Sequence, residues 1–193
     1  KLGLFKVIGR LSRILRPNRL KDFAMLAKRE NVLLFEAPNP ESQSLLEWIT
    51  KEKIDIVLIM VSFIIKPPLI DAPSLGILNK HASILPANRG LFPYFWAYLK
   101  REPQGISFHI VNAKIDKGEV ILSLKVPTSV CTSMVRFYSH VFDVFPQLVL
   151  EATKLLSEGR RSVEQPLPST YHGRPIAEDY KKFRRSGGHI IKL

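Results

Sequence analysis

Asn79 and His81 stand two positions apart near the end of an apolar run in the segment GILNKHASILPANRG, residues 76–90. Successive side chains of a β-strand point to opposite faces, so residues two apart share a face. If this run is a strand, the amide of Asn79 and the imidazole of His81 point the same way. An N–H donor beside a titratable ring can act on one reacting atom, so the spacing predicts a functional site here.

The strand that carries this pair is expected to belong to a parallel sheet. Residues 55–61 lie in the continuous apolar run IDIVLIMVSF, which is typical of a strand buried on both faces. Residues 77–80 would form the next parallel strand, and the run NVLLFEA predicts an earlier one over residues 31–36. Such a doubly wound α/β sheet binds its ligands beyond the carboxyl ends of its strands, which is where Asn79 and His81 fall.

A third chemically capable residue, Asp116, lies in a predicted turn. The segments GISFHIVN and GEVILSLKV alternate around AKIDKG, and this pattern predicts an antiparallel hairpin over about residues 105–126 that extends the sheet. Helices are predicted at residues 4–15, 20–29, 92–100 and 133–158, and also around Leu45, Trp48 and Ile49, where Asn39-Pro40 would begin the helix. Residues 161–193 are predicted to form an irregular basic tail with one short helix.

Composition is consistent with one globular domain. The chain has 193 residues, of which 46% are hydrophobic, and this is enough to bury a core; we expect one domain over residues 1–193 with a core of about 31–160. A single cysteine excludes an internal disulfide and favours a cytoplasmic location, although a bacterial extracellular protein can also lack disulfides. No apolar run reaches the roughly 18 residues that a membrane span needs.

The formal net charge of +12 invites comparison with nucleic-acid-binding proteins. The basic residues, however, concentrate in residues 1–29 and 181–185, whereas the region around Asn79 is nearly balanced. No zinc-finger spacing or RNA-recognition signature accompanies them, so we expect no nucleic-acid partner. The positive charge is also compatible with a small anionic substrate.

Several chemistries have no support in the sequence. There is no G-x-G-x-x-G, no G-x-x-x-x-G-K-[ST] and no G-x-S-x-G, which argues against dinucleotide binding, Walker-type phosphate binding and a serine nucleophile. His81, His109 and Asp116 together offer the ligand types of a two-histidine, one-carboxylate metal site. No local ligand spacing supports such a site, and we predict no metal.

Two longer segments carry a resemblance to a known family. The segments LNKHASILPANRGLFPYFWA and GISFHIVNAKIDKGEVI resemble the folate-dependent formyltransferases, which act on glycinamide ribonucleotide, methionyl-tRNA or nucleotide sugars. The resembling pattern is Asn-x-His, a Leu-Pro-x-x-Arg-Gly turn, a histidine-bearing strand and an Asp-x-Gly loop. The match extends over about residues 54–126 and implies a Rossmann-like formyltransferase fold.

The resemblance assigns catalytic roles to Asn79, His81 and Asp116. It implies transfer of a formyl group from 10-formyltetrahydrofolate to a primary amine, through a tetrahedral intermediate with an oxyanion. An N–H of Asn79 and a protonated or otherwise donating His81 would stabilise the oxyanion. Asp116 would orient His81 and help to carry the amine proton.

The resemblance also implies where the ligands bind. The pterin is expected in a slot between the loop after the strand of residues 55–61 and the loop before Asp116, walled by Leu85 and Pro86. The other expected cofactor-binding residues are Phe63, Ile64, Ile65, Asn112, Ala113, Lys114 and Ile115. Arg89 and His109 are expected to bind the substrate.

The sequence departs from the family pattern in two ways. The family has a strand ahead of the first helix, but no such strand is predicted here, so we expect the sheet to lack it. The residues after Gly159 leave no room for the β-barrel of the methionyl-tRNA type, which favours a small anionic amine as acceptor. The alternative is a non-catalytic folate- or nucleotide-binding relic of the same fold.

Overall fold

The structure, a computed structural model, describes residues 19–59, 64–161 and 167–192. The helix predicted over residues 4–15 therefore lies outside the described residues. The chain divides into two compact units, residues 1–38 and 39–193.

The described part of the first unit contains one helix, α1, Arg19–Arg29, where a helix was predicted. The predicted strand over residues 31–36 is wrong, because residues 32–37 form no strand and pair with none of the described strands. Val32, Leu33 and Leu34 are 61%, 70% and 53% exposed. Apolar character favours a strand only where a neighbouring strand accepts its backbone hydrogen bonds, and this run has no such neighbour among the described strands.

The second unit is built on a mixed sheet, which confirms the α/β class. Its described strands are β1, Ile56–Ile59; β2, Gly76–His81; β3, Arg89–Gly90; β4, Gly105–Ile110; β5, Val120–Lys125; and β6, Tyr171–His172. Four of them form one sheet in the order β1-β2-β4-β5. β1 and β2 are parallel, and β4 and β5 form the predicted antiparallel hairpin. β4 also lies antiparallel to β2. The predicted strand of residues 55–61 is described only as far as Ile59.

Five helices of the second unit are described: α2, Gln43–Lys51; α3, Pro67–Ile70; α4, Pro93–Leu99; α5, Met134–Ser157; and α6, Ala177–Arg185. The predicted start of α2 at Asn39-Pro40 is wrong, because Ser42 is the N-cap. The Asn39 Oδ1 instead accepts the backbone N–H of Glu41 at 2.9 Å, which completes a local turn.

β2 separates two apolar clusters, because its neighbouring residues point to opposite faces. Leu78 belongs to a large cluster with α4, α5 and the hairpin, whereas Ile77 belongs to a smaller one with Ile49 of α2. The tail contributes to the large cluster through Phe183 of α6, which is fully buried and stacks on Phe95 at 4.6 Å between ring centroids. Residues that the sequence predicted to be a peripheral tail are therefore part of the core.

Candidate active site

β2 ends in the polar pair that the sequence singled out. Asn79 lies opposite Ile59 of β1, and His81 is the last residue of β2, so both lie near the carboxyl end of the parallel pair. On the other side of β2, Asn79 lies directly opposite His109 of β4. Directly opposed residues of an antiparallel pair project from the same face, which places the Asn79 and His109 side chains in contact.

Asp116 reaches the same place from the connection between β4 and β5. Its backbone is left-handed, with φ of 48°, a conformation that Asp tolerates better than most residues. The Gly90 N–H donates to Asp116 Oδ2 at 2.8 Å and fixes the carboxylate. A Cβ at Gly118 would overlap the carbonyl oxygen of Ile110, so this connection can run close to β4 only with glycine at that position.

The structure brings together the three predicted catalytic residues and His109, and we call these four side chains the polar cluster. His81 Nδ1 lies 3.6 Å from Asp116 Oδ2, and His109 Nε2 lies 3.5 Å from Asp116 Oδ1. Asn79 Nδ2 lies 3.3 Å from His109 Nε2. The Asp116 carboxylate therefore lies between the two imidazole rings, and the Asn79 amide contacts the ring of His109.

Hydrogen-bond partners determine where the protons of the two rings lie. His81 Nε2 is 2.8 Å from the Asn88 carbonyl oxygen, and His109 Nδ1 is 3.0 Å from the Ile110 carbonyl oxygen. A carbonyl only accepts, so each of these nitrogens carries a hydrogen. In a neutral His81 ring the lone pair is then on the other nitrogen, Nδ1, which faces Asp116.

Burial decides the charge of His81, whereas neighbouring groups decide that of Asp116. Burial lowers the pKa of His81 below its usual range and outweighs the opposing effect of Asp116. Burial acts to raise the pKa of Asp116, but the His109 and His81 rings and the Gly90 N–H together hold this pKa below its usual range. At neutral pH the cluster thus holds an ionised Asp116 and a neutral His81. The lone pair of His81 beside this carboxylate forms a site that can take up one proton.

His109, which was predicted to bind the substrate, is buried within the polar cluster. Its side chain is 2% exposed, and its ring nitrogens contact Ile110, Asn79 and Asp116. Its contacts are thus with other protein groups, chiefly those of the polar cluster.

A cavity of about 510 Å³ meets the polar cluster at Asp116. Its lining combines an apolar wall with three cationic and two acidic side chains: Leu85, Pro86, Arg89, Asp116, Lys117, Gly118, Glu119, Val120, Arg161 and Ser169. Two of the cations are engaged, because Arg161 Nε pairs with Glu119 Oε1 at 2.7 Å and Arg89 donates to the Ile115 carbonyl oxygen at 3.3 Å. Lys117 forms no ion pair with any described residue.

The predicted cofactor-binding residues are distributed over three places. Leu85 and Pro86 line the cavity beside Asp116. Asn112, Ala113, Lys114 and Ile115 form an exposed stretch directly before Asp116. Ile64 and Ile65 line a second cavity of about 550 Å³, and Phe63 lies outside the described residues. The described residues do not join these groups into one slot.

Sequence reasoning missed the part of the tail that supports the site. β6 pairs in parallel with β3, with Arg89 opposite Tyr171 and Gly90 opposite His172. The Leu91 N–H donates to the His172 carbonyl oxygen at 2.9 Å, and Trp96 stacks on the His172 ring at 4.7 Å. A two-residue strand is too short to show a periodic pattern. The only sequence feature that indicates order here is Tyr-His-Gly after a proline-rich stretch.

Neither a metal centre nor a spanning helix is found in the described part of the chain. Within residues 19–59, 64–161 and 167–192, no group of three or more His, Cys, Asp or Glu side chains could hold a metal ion. The helices described in these ranges include none with the length and hydropathy needed to cross a bilayer.

The fold and the site define an α/β protein with a polar cluster at the carboxyl end of its parallel strands. The sequence model of the Formyl transferase family matches residues 13–153, and the chain belongs to this family. The resemblance seen in the sequence is thereby confirmed.

Curated relatives and solved structures support the same assignment. The chain is 28% identical to the methionyl-tRNA formyltransferase of Fusobacterium nucleatum over 142 residues, covering 72% of this chain and 45% of the relative. The corresponding enzyme of Pseudoalteromonas translucida is 27% identical, with 78% and 46% covered. The chain spans about half the length of the curated relatives that it matches.

Two solved structures are similar at the level of both sequence and fold. The formyltransferase PseJ from Anoxybacillus kamchatkensis, in complex with UDP-4,6-dideoxy-4-formamido-L-AltNAc and tetrahydrofolate, is 25% identical with a TM-score of 0.59, covering 86% of this chain and 84% of that one. Glycinamide ribonucleotide transformylase 1 from Symbiobacterium toebii is 27% identical with a TM-score of 0.60, covering 72% and 69%.

Proposed function

We propose that this protein transfers a formyl group from 10-formyltetrahydrofolate to the primary amine of a small acceptor that carries negative charge. Membership of the formyl transferase family supports the reaction type, and the tetrahydrofolate in the PseJ complex supports the donor. The single observation that carries the proposal is the polar cluster, in which an amide donor and a His-Asp pair meet beside a cavity.

The proposed reaction needs a place for one proton and for one developing negative charge. The acceptor nitrogen attacks the formyl carbon, the carbonyl oxygen becomes an oxyanion, and the bond from carbon to N10 of the folate then breaks. The amine loses one proton in this process, and N10 gains one. The groups needed are thus an oxyanion donor and a proton carrier.

The polar cluster supplies both groups. Asn79 has two amide hydrogens, and since its contact with His109 can engage only one of them, the second is available for the oxyanion. The neutral His81 accepts the amine proton at Nδ1, where the Asp116 carboxylate stabilises the imidazolium that forms. His81 is then a donor, as the sequence predicted, but only after it has received this proton.

The residues around the cluster fit a folate donor. Leu85 and Pro86 form an apolar wall, and residues 112–115 form an exposed, partly polar stretch of chain directly before Asp116. A flat heteroaromatic ring with hydrogen-bonding edges needs these two kinds of surface. When bound, the folate supplies the activated formyl group.

The charge of the cavity favours an anionic acceptor. Lys117 lies next to Asp116 in the sequence, lines the cavity and forms no ion pair with described residues. An ammonium group at this position would attract a phosphate or carboxylate of the acceptor.

The test is an assay of formyl transfer. The protein is incubated with 10-formyltetrahydrofolate and a panel of amines that includes nucleotide-linked amino sugars, glycinamide ribonucleotide and uncharged amino sugars, and the appearance of tetrahydrofolate is measured. Asn79→Ala and His81→Ala should each lower turnover by about a hundredfold or more while leaving folate binding largely intact, because their contacts form in the transition state.

Two controls sharpen this assay. His140→Ala changes a histidine of α5 outside the polar cluster and should leave turnover unchanged. Lys117→Ala should raise KM for a charged acceptor but not for an uncharged one, whereas Lys125→Ala should change neither. Folate binding without transfer to any amine would instead favour a binding protein.

A further inference from the structure

The carbonyl oxygen of Asn88 contacts one of the two ring nitrogens of His81. Asn88 is 1% exposed and has a left-handed backbone, with φ of 54°, and its carbonyl oxygen accepts the Nε2–H of His81 at 2.8 Å. Because this oxygen cannot donate, the neutral ring must carry its hydrogen on Nε2. The lone pair is then left on Nδ1, which faces Asp116.

Two distant side chains hold Asn88 in this position. Glu102 Oε2 accepts a hydrogen from Asn88 Nδ2 at 2.6 Å, and Thr170 Oγ1 accepts the backbone N–H of Asn88 at 2.9 Å. The Thr170 backbone adds two further bonds, from the Arg89 N–H at 3.0 Å and to the Pro86 carbonyl oxygen at 3.3 Å. Residues 86–90, which we call the Asn88 turn, are thus tied both to the α4–β4 connection and to the tail.

Neither Glu102 nor Thr170 forms a described hydrogen bond or ion pair with the polar cluster. We propose that the Asn88 turn fixes the tautomer of His81, and that Glu102 and Thr170 are positioning residues that act on His81 through Asn88. The predicted effect on turnover rests on the proposed function, whereas the predicted effect on the His81 tautomer does not.

The tautomer matters because it decides whether the polar cluster can accept a proton. In the other neutral tautomer, Nδ1 carries the hydrogen and donates to Asp116, and the lone pair on Nε2 faces the Asn88 carbonyl oxygen. His81 then has no lone pair beside Asp116 and cannot take up the amine proton there. A turn that excludes this tautomer keeps the ring ready for proton transfer.

The primary experiment is nitrogen-15 NMR of the histidine rings in the free protein at a pH where His81 is neutral. The His81 signals are assigned by comparison with His81→Gln. We expect the Nε2–H tautomer in the unaltered protein. A neutral ring that carries its hydrogen on Nδ1 overturns the proposal.

Substitutions test the two positioning residues. Thr170→Val and Glu102→Ala should populate both tautomers and lower turnover by about tenfold. Thr170→Ser and Glu102→Gln retain an acceptor and should restore both the tautomer and the rate. Matched controls are Thr153→Val, whose hydroxyl bonds to carbonyls of its own helix, and Glu47→Ala, whose carboxylate accepts from the Gln43 amide on the exposed face of α2.

Folded variants that keep both the Nε2–H tautomer and the unaltered rate would refute the positioning roles. If Thr170→Val does not fold, Glu102→Ala decides, because it removes a side-chain partner and leaves the backbone N–H of Asn88 paired. Absence of formyl transfer by the unaltered protein would count against the proposed function alone, since the ring spectra test the positioning independently.

Discussion

Burial of the His81 ring makes the stability of the protein depend on pH. In the unfolded chain His81 has a pKa near 6.5, whereas in the folded protein burial lowers this pKa. Below pH 6.5 the unfolded chain binds a proton that the folded protein resists, so stability falls as the pH drops from 6.5 towards the folded pKa. We predict that His81→Gln shows a smaller loss of Tm than the unaltered protein between pH 7 and pH 5.

The measurement is thermal unfolding at several pH values, and only the change with pH is compared. His140→Gln serves as the control and should retain the full pH dependence, because it leaves the His81 ring in place. An equal loss of Tm in His81→Gln and the unaltered protein would contradict the assigned neutral state of the ring.

The charge of Asp116 can be removed without changing the shape of its side chain. Asp116→Asn retains an oxygen for the Gly90 N–H and tolerates the left-handed backbone, but it no longer stabilises a protonated His81. We predict that turnover falls by about a hundredfold while the far-UV circular dichroism spectrum is retained. Asp143→Asn, on the exposed side of α5, should leave turnover unchanged; a similar fall there would point to a general effect of charge.

The catalytic candidates could be predicted from the sequence because their chemistry lies in their side chains and their spacing matches a strand. Asn79 and His81 share a face by the two-residue period, and Asp116 follows a hairpin pattern. Asn88 could not be found in this way, because it contributes a backbone carbonyl oxygen, a group that every residue has. Its importance depends on the backbone conformation and on contacts with Glu102 and Thr170.

At the scale of elements, the short β3–β6 ladder depends on glycine at position 90. Gly90 has φ of 93°, and a Cβ there would overlap the His172 carbonyl oxygen. We predict that Gly90→Ala lowers the free energy of unfolding by more than the roughly 1–2 kcal/mol expected from the backbone conformation alone, and that it also lowers turnover, because the Gly90 N–H holds Asp116.

Two other glycines provide graded controls for this prediction. Gly159 has φ of 66°, and a Cβ added there would meet no atom within 4 Å, so Gly159→Ala should show the backbone cost alone. Gly173 is equally open and has no left-handed φ, so Gly173→Ala should change stability by about 0.5 kcal/mol or less. Urea denaturation measures all three. An equal loss of unfolding free energy in Gly90→Ala and Gly159→Ala would mean that the tail does not pack closely against position 90.

Elements were predictable where a local pattern agreed with its surroundings. The hairpin, the parallel pair and α5 have clear periods and clear ends, and each has a packed partner. The run at residues 31–36 has strand-like composition, but a strand also needs a neighbour, and local composition carries no information about one. β6 shows the opposite case: its partner strand β3 exists, but two residues are too few to form a recognisable pattern.

At the scale of the whole molecule, the tail contributes to stability and is not a loose appendage. Phe183 of α6 is fully buried and packs on Phe95. We predict that Phe183→Ala lowers the free energy of unfolding by about 3–5 kcal/mol, measured by urea denaturation. Phe142→Ala, at a side chain that is 53% exposed, should cost about 1 kcal/mol or less. A similarly small cost for Phe183→Ala would show that the tail is not part of the folded core.

The stacking of Trp96 on His172 provides the protein with an optical reporter. The Trp96 indole donates to the Gly173 carbonyl oxygen at 3.1 Å, so both its hydrogen bond and its ring contact come from the tail. The chain contains two tryptophans, and Trp48→Phe would leave Trp96 as its sole indole fluorophore. Undocking of the tail would expose this indole to water and shift its emission to longer wavelength. Stopped-flow fluorescence could then time the closure that joins residues 88 and 170, separated by 82 positions, against the formation of the sheet.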